Sequence, residues 1–182
     1  MKLGTIEIEK APCLIFYIDN DLAISMKILS KKFNLGFTGN SMQEFMASGP
    51  VIQNKITQVI ETITQQPSEY DLINLKKVKW LPPNPDTRKI LGVAFNNKGI
   101  RKEAHFDTGC PNYFLKSASC LNGHQEPVLI REYYGNTIPE PELCLFIGKP
   151  GKDIQKQNAL DHIFGYSITN DITSHGMKSV SY

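Results

Sequence analysis

Two carboxylates stand at the start of an apolar segment in the second half of the chain. Glu140 and Glu142 lead into Leu143, Leu145 and Ile147. Because residues two apart in a strand share a face, this spacing predicts both carboxylates on one face and the aliphatic side chains on the other, facing a core. Adjacent carboxylates repel each other, so they need a cation between them or a proton on one of them. Their oxygens suit Mg, Mn or Ca, and the alternative is an exposed acidic start of a strand.

A third acidic residue follows another strand-like segment. Asp171 comes directly after the run from Ile163 to Asn170. Strand ends that open onto loops are common places for active sites, so Asp171 supplies a third oxygen ligand if its strand lies beside that of Glu142. Asn followed by Asp is also ordinary turn chemistry, and the spacing leaves both interpretations open.

Composition excludes several classes of protein. The 182 residues are 41% hydrophobic and 21% charged, which is typical of a globular protein. The net charge of +2 is small and evenly spread, which argues against a nucleic-acid partner. The apolar stretches are too short to cross a bilayer, and the N-terminus lacks the apolar stretch of a signal peptide. We therefore expect no membrane partner. The four cysteines have no zinc-ligand spacing, and we expect free thiols in a cytoplasmic protein.

The strongest interruption in the sequence is the segment Pro82–Pro85, with three prolines in four positions. Such a segment cannot continue a helix or a central strand. We therefore predict a domain boundary there, with an N-terminal domain over residues 1–81 and a second domain over residues 85–182.

Both strands and a helix are predicted in the N-terminal domain. Residues 4–26 favour strands, and residues 27–48 are ambiguous. Gly49 and Pro50 start a predicted helix, in which isoleucines at helical spacing form one apolar face until Gln65. Residues 72–81 favour another strand.

The second domain is predicted to be rich in β-strands. Residues 98–104 favour a short helix, and residues 156–161 favour one or two helical turns. The strand candidates are Lys89 to Phe95, which we expect to be buried, Tyr113 to Lys116, Pro127 to Arg131, Glu142 to Gly148 and His162 to Asn170.

Residues 88–175 resemble the fumarylacetoacetate hydrolase superfamily. The resemblance is found in four ordered segments: Ile90 to Asn96, Pro111 to Lys116, Pro139-Glu140-Pro141-Glu142-Leu143, and Gly165 to Thr173. It implies that Glu140, Glu142 and Asp171 bind one divalent cation, usually Mg or Mn, and that the protein is a homodimer. The implied fold is α+β, with a small N-terminal α+β domain followed by a β-rich mixed β-roll that is incomplete at the C-terminus.

The resemblance also implies chemistry on a 2-oxo or diketo acid. The substrate would chelate the metal through its carboxylate and keto oxygens, and the metal would stabilise an enolate while a C–C bond breaks or water leaves. The Pro-Glu-Pro-Glu-Leu form, with Gly123 and His124 upstream, looks most like the dehydratases of 2-keto-3-deoxy sugar acids. We expect His124 to bind substrate, although it could instead cap a turn.

One departure from the family pattern affects the expected reaction. Many hydrolase members have a His followed three positions later by a Glu, whereas this chain has Ile100 and then Glu103. This favours a lyase that uses Glu103 as acid or base over a hydrolase that activates water. Lys116 matches the family's Phe-x-Lys segment and is expected to orient substrate. The alternatives are an exposed helix residue for Glu103 and a solvated charge for Lys116.

The family continues well beyond its Asn-Asp motif, whereas this sequence stops at Tyr182. We expect the chain to be a fragment, because unpaired strands and apolar faces would otherwise be exposed. The alternative function is a non-catalytic relative that keeps the fold and serves as a binding or assembly module.

Overall fold

The computed structural model describes residues 1–103 and 109–180, apart from the side chains of Ile100, Glu103 and residues 178–180. Within these residues the fold is α+β, as predicted. The elements of the first half are β1 (Leu3–Ile8), β2 (Ala11–Tyr17), β3 (Leu22–Ser25), α1 (Met26–Phe33), α2 (Met42–Ala47), α3 (Gly49–Gln65), β4 (Ile73–Asn74) and β5 (Lys79–Leu81). Short 3₁₀ turns lie at Pro67–Glu69 and Leu75–Lys77.

The first half is built on an antiparallel sheet with the strand order β4-β3-β2-β1-β5. A two-residue turn joins β1 to β2, and its residues Glu9 and Lys10 have φ angles of 51° and 64°. Two successive positive φ angles are the geometry of a type I′ turn, whose twist matches that of the paired strands. This turn fixes the register in which Ile6 and Leu14 become fully buried.

Three helices pack against this sheet. The predicted helix from Gly49 to Gln65 is confirmed as α3, with Pro50 in its first turn and Ile56, Ile60 and Ile63 buried. The ambiguous region between the strands and α3 contains α1 and α2. The hydroxyl of Ser41 accepts a hydrogen bond from the Glu44 backbone N–H at 3.1 Å, which satisfies a free donor at the start of α2.

The prediction of one strand over residues 72–81 is wrong in its middle. The side chain of Asn74 accepts a hydrogen bond from the Lys76 N–H at 3.0 Å, and the Leu75 N–H donates to Asp21 O at 2.8 Å. These local bonds compete with the strand ladder, so the chain makes a 3₁₀ turn between β4 and β5.

The second half consists of three two-stranded antiparallel ribbons, β6–β7, β8–β11 and β9–β10. A 3₁₀ segment at Lys156–His162 corresponds to the predicted helical turns. The elements are β6 (Ile90–Ala94), α4 (Lys98–Glu103), β7 (Asn112–Lys116), β8 (Thr137–Ile138), β9 (Pro141–Ile147), β10 (Ile163–Asn170), β11 (Thr173–Ser174) and α5 (His175–Val180).

The predicted strand from Pro127 to Arg131 does not form. Pro127 has no N–H to donate, and its carbonyl accepts a hydrogen bond from the Asn122 side chain at 3.0 Å. The segment therefore forms no strand ladder among the described residues.

The predicted burial of two strands is also wrong. Leu91 and Val93 of β6 are exposed, as are Leu143, Leu145 and Ile147 of β9, which were expected to face a core. Each ribbon is only two strands wide, and its aliphatic face meets too little of the described chain to be buried.

The opposite face of the β9–β10 ribbon makes the contact with the first half. Phe146 and Phe164 pack against the cluster formed by the sheet and helices, and the Phe164 ring meets Phe45 edge-to-face at 5.8 Å. Near the predicted boundary, the Thr5 hydroxyl donates to Pro83 O at 2.7 Å and Asn84 is buried. The division into two domains remains a prediction.

The cysteines and the helix lengths were also predicted from the sequence. Cys13, Cys120 and Cys144 are free thiols, as predicted. Within the described residues, no helix combines the length and apolar character that a bilayer crossing requires.

Candidate functional site

Glu140 and Asp171 lie directly opposite each other, between the ladders β8–β11 and β9–β10. The two ladders share one continuous register, in which Ile138 pairs with Thr173 and Pro141 pairs with Asn170. The Asp171 N–H donates to Glu140 O at 2.8 Å, and the Glu140 N–H donates to the Asn170 side-chain oxygen at 3.1 Å. The strand that leads to Asp171 therefore lies beside that of Glu142. This is the arrangement that was required before Asp171 could act as a third oxygen ligand.

The register places the three acidic residues on one face. Directly opposed residues of an antiparallel pair point to the same side, and so do residues two apart in one strand. Glu140 opposes Asp171, and Glu142 opposes Thr169 one step further along. Glu140 and Asp171 are half-buried, whereas Glu142 is exposed. This face offers hard oxygen donors of the kind that divalent cations prefer.

Lys116 joins this group from another ribbon. Its ammonium forms an ion pair with the Asp171 carboxylate, and both side chains are mostly buried, with exposed fractions of 29% and 18%. Lys116 is therefore not the freely solvated charge that the alternative interpretation described. Within residues 1–103 and 109–180, no three His, Cys, Asp or Glu side chains are gathered closely enough to hold a metal ion. The structure thus brings Lys116 and Asp171 together and leaves Glu140 and Glu142 beside them on the same face.

Cys144 lies on this same face, two residues after Glu142. It opposes Ser167 across the ladder and is half-buried. Burial disfavours the charged thiolate and raises the pKa of the Cys144 thiol. Less of the Cys144 thiol is therefore ionised than it would be in water.

Glu103 is the last residue of α4, and its side chain lies outside the described residues. The helix starts beyond the end of β6, next to a cavity of about 250 Å³. The cavity lies at the Ala94–Asn112 end of the β6–β7 ribbon, and Lys116 lies at the other end. Its lining is formed by Val93, Ala94, Phe95, Asn96, Arg101, Gly109, Cys110, Pro111 and Asn112.

Arg101 is a cavity residue that sequence reasoning missed. Its Nε donates to Phe95 O at 2.9 Å, and Phe95 has a φ angle of 54°. A positive φ in a bulky residue is strained, and such strain is concentrated at functional sites. The signal available in the sequence was a basic residue on the same short helix as Glu103.

His124 contacts the first half of the fold. Its exposed ring meets the Trp80 ring edge-to-face at 6.1 Å. The preceding Gly123 lies so close to Trp80 that an added Cβ would be 2.0 Å from the Trp80 carbonyl oxygen. This close approach gives the Gly123–His124 pair a packing role, and a substrate contact for His124 remains a prediction.

Comparison with known proteins agrees with the sequence resemblance. A family model described as fumarylacetoacetate (FAA) hydrolase C-terminal matches residues 89–182. The oxaloacetate tautomerase YisK of Bacillus subtilis is 29% identical over 98% of this chain, which spans 62% of that protein. A mitochondrial oxaloacetate tautomerase of Xenopus laevis is 26% identical over 73% of this chain, and the match covers 40% of its length.

Solved structures show the same fold. A fumarylacetoacetate hydrolase of Exiguobacterium antarcticum superposes with a TM-score of 0.69 at 20% identity, covering 99% of this chain and 58% of its own. A maleylpyruvate hydrolase of Sphingobium, in complex with manganese(II) and pyruvate, gives a TM-score of 0.67 at 21% identity, covering 97% and 60%. The chain thus spans about three-fifths of each of these structures. Since the family model covers more than half of its residues, the chain belongs to the fumarylacetoacetate hydrolase family.

Proposed function

We propose that this chain is part of a metal-dependent enzyme that acts on a 2-oxo or diketo acid through its enolate. The observation that supports this most is the register that places Glu140, Glu142 and Asp171 on one face. Glu140, Glu142 and Asp171 follow one another along this face, and the Lys116 ammonium lies against Asp171.

In this proposal Glu140, Glu142 and Asp171 hold one divalent cation, Mg or Mn. The donor chemistry fits, because both cations bind carboxylate oxygens and neither requires sulfur or imidazole. A bound cation would supply positive charge that stabilises an enolate oxygen. The manganese complex of the Sphingobium hydrolase supports the same cation class.

The protein's own side chains have separate roles. Lys116 has three N–H donors and one positive charge at the edge of the cluster, which suits the orientation of a substrate carboxylate. Glu103 is proposed to move the proton as acid or base, and His124 to contact the substrate. The substrate is a small molecule, and a cytoplasmic homodimer remains part of the proposal.

The relatives favour one reaction among those considered. Interconversion of keto and enol forms needs a proton donor and acceptor, whereas C–C hydrolysis also needs an activated water. Ile100 stands where many hydrolases have a His, so the chain lacks that water-activating group. The two tautomerases among the relatives therefore support proton transfer on oxaloacetate or a similar acid, ahead of sugar-acid dehydration or acylpyruvate cleavage.

A second candidate is a non-catalytic family member that binds or assembles. It is favoured by the pairing of Lys116 with Asp171, which gives one of the proposed ligands a protein cation instead of a metal. Ile100 at the His position points the same way.

Metal-dependent unfolding of the full chain tests the cation site. At 100 times its dissociation constant, a cation that binds only the native state adds about 2.7 kcal/mol to the free energy of unfolding. We expect Mn²⁺ to raise the Tm of the parent and of the control Glu132→Gln, which changes an exposed carboxylate elsewhere in this half. Glu140→Gln should lose the rise. An equal rise in all three chains would contradict the site.

Turnover separates the two candidates. The ultraviolet absorbance of enol-oxaloacetate should decay faster with the Mn²⁺-loaded chain than with buffered Mn²⁺ alone, and Lys116→Met should remove most of that acceleration. A 3-deoxy-2-oxo sugar acid and an acylpyruvate serve as comparison substrates. Saturable Mn²⁺ binding without turnover of any of the three would favour the binding module.

A further inference from the structure

The Asp171 carboxylate is held by a cation of the protein itself. Lys116 Nζ donates to Asp171 Oδ1 from a different ribbon, and both side chains are mostly buried. A pair with this burial is held more firmly than two fully solvated charges. Within the described residues, neither Glu140 nor Glu142 forms an ion pair. Asp171 is therefore the proposed ligand whose charge the protein already compensates.

The backbone around this pair is fixed, whereas the Lys116 side chain can rotate. Lys116 pairs with Ile90 in the β6–β7 ladder, and the Asp171 N–H donates to Glu140 O at 2.8 Å. The Lys116 charge stands at the end of a flexible four-carbon stem. The ammonium can therefore leave Asp171 without any change in either strand.

Cation binding requires the proposed ligands to move. Glu140, Glu142 and Asp171 share a face, but in the part of the chain that the structure describes they are not gathered closely enough to hold a metal ion. A divalent cation that binds all three must draw them together, which brings its two positive charges next to the Lys116 ammonium. Two cations at one carboxylate repel each other. The divalent cation and Lys116 are therefore rivals for Asp171.

We propose that Lys116 competes with the divalent cation for the Asp171 carboxylate, so that cation binding frees the Lys116 ammonium for the carboxylate of the substrate. While Lys116 is paired, Asp171 neutralises its charge. Once it is released, its three N–H donors are available to an anionic group. The inference rests on the proposed function and adds an order to it, because the cation must bind before the 2-oxo acid.

Mn²⁺ affinity tests the competition without any turnover. In calorimetric titration of the full 182-residue chain, Lys116→Met should bind Mn²⁺ about fivefold more tightly than the parent, since a partly exposed ion pair contributes up to about 1 kcal/mol. Lys116→Arg keeps the charge and should bind Mn²⁺ no more tightly than the parent. The control Lys76→Met removes the exposed ion pair with Asp21 and should leave the affinity unchanged.

Lysine labelling of the parent follows the release directly. A water-soluble N-hydroxysuccinimide ester reacts slowly with an amine held in an ion pair, so saturating Mn²⁺ should raise the labelling of Lys116 relative to Lys76, read by mass spectrometry of digested protein. Pyruvate added after Mn²⁺ should then protect Lys116, and pyruvate without Mn²⁺ should not. This measurement needs no substitution, so it decides the matter even if Lys116→Met fails to fold.

The outcomes separate this inference from the proposed function. Equal or weaker Mn²⁺ binding by folded Lys116→Met, or labelling of Lys116 that Mn²⁺ leaves unchanged, would overturn the competition and leave the cation site in place. Protection of Lys116 by pyruvate alone would overturn the order of binding. The absence of saturable Mn²⁺ binding from every chain would overturn the cation site and the competition together.

Discussion

Lys116 and Asp171 are 55 residues apart in sequence and form an ion pair between the ends of two different ribbons. Lys116 ends β7, and Asp171 follows β10 at the position opposite Glu140. The pair connects the β6–β7 ribbon to the face that carries Glu140, Glu142 and Asp171, here called the acidic face. It therefore fixes where the positive charge stands relative to the carboxylates.

This link should be measurable in a double-mutant cycle of Lys116→Met and Asp171→Asn. Because both side chains keep some contact with solvent, water screens the pair, and we expect a coupling free energy of about 1 kcal/mol in urea unfolding, below that of a fully buried pair. The exposed pair Lys76–Asp21 is the matched control and should show a smaller coupling. Strictly additive single substitutions at Lys116 and Asp171 would contradict the link.

Glu44 should make stability depend on pH in the acid range. Burial opposes its ionisation, but hydrogen bonds from the Thr38 hydroxyl and from the backbone of Thr38, Gly39 and Asn40 outweigh this and lower its pKa below 4.5. A lowered pKa in the folded state gives stability that is present above the unfolded pKa and is lost as the pH falls through the folded value.

The test is Glu44→Gln, compared with the parent from pH 7 to pH 3. At pH 7 the substitution should lower the free energy of unfolding by about 1 kcal/mol, as for other capping contacts. The difference should shrink below pH 4.5, where the carboxyl of the unfolded chain takes up a proton. A difference independent of pH would show that the charge is not responsible.

Gly123 should tolerate no side chain. Gly123→Ala would place a methyl group 2.0 Å from the Trp80 carbonyl oxygen, so the loop must move away from β5. We expect a loss of about 1–3 kcal/mol in the free energy of unfolding and a change in the fluorescence of Trp80, the single tryptophan. Gly165→Ala, which meets no atom within 4 Å, is the control and should be close to neutral.

Thiol labelling should separate the cysteines by burial. Burial raises the pKa of Cys144, which reduces its thiolate fraction at pH 8, and it also shields the sulfur from the reagent, whereas Cys120 is exposed. We expect iodoacetamide to modify Cys120 first and Cys144 only slowly, with mass spectrometry of digested protein as the readout. Equal rates in the native state would contradict the burial of Cys144, and urea should make the two rates converge.

The elements that could be predicted from the sequence are those whose signals are local. The helix from Gly49 has proline at its start and isoleucines at helical spacing, and it forms as expected. The Glu140–Glu142 spacing and the Asn170-Asp171 turn likewise indicated two strands that do pair. Local pattern thus indicated the two strands, whereas the resemblance to the family implied that their acidic residues come together.

What could not be predicted depends on distant partners. The alternation of residue types in β9 correctly predicted which residues share a face. It could not predict which face packs against a core, because that depends on Phe45 and the N-terminal helices. The Lys116–Asp171 pair and the Arg101 contact with Phe95 depend on how separate segments meet. No periodicity within a single segment contains that information.

The contact of Phe164 with Phe45 holds the start of β10 against the N-terminal helices. Asp171 stands seven residues further on, about 23 Å away along an extended strand. The packing of Phe164 on the N-terminal helices therefore helps to set the position of a carboxylate at the far end of the strand. A one-residue insertion between Phe164 and Asp171 would leave the anchor intact yet turn the carboxylate to the opposite side of the ribbon. The length of β10 is therefore as strictly constrained as the identity of the residue at its end.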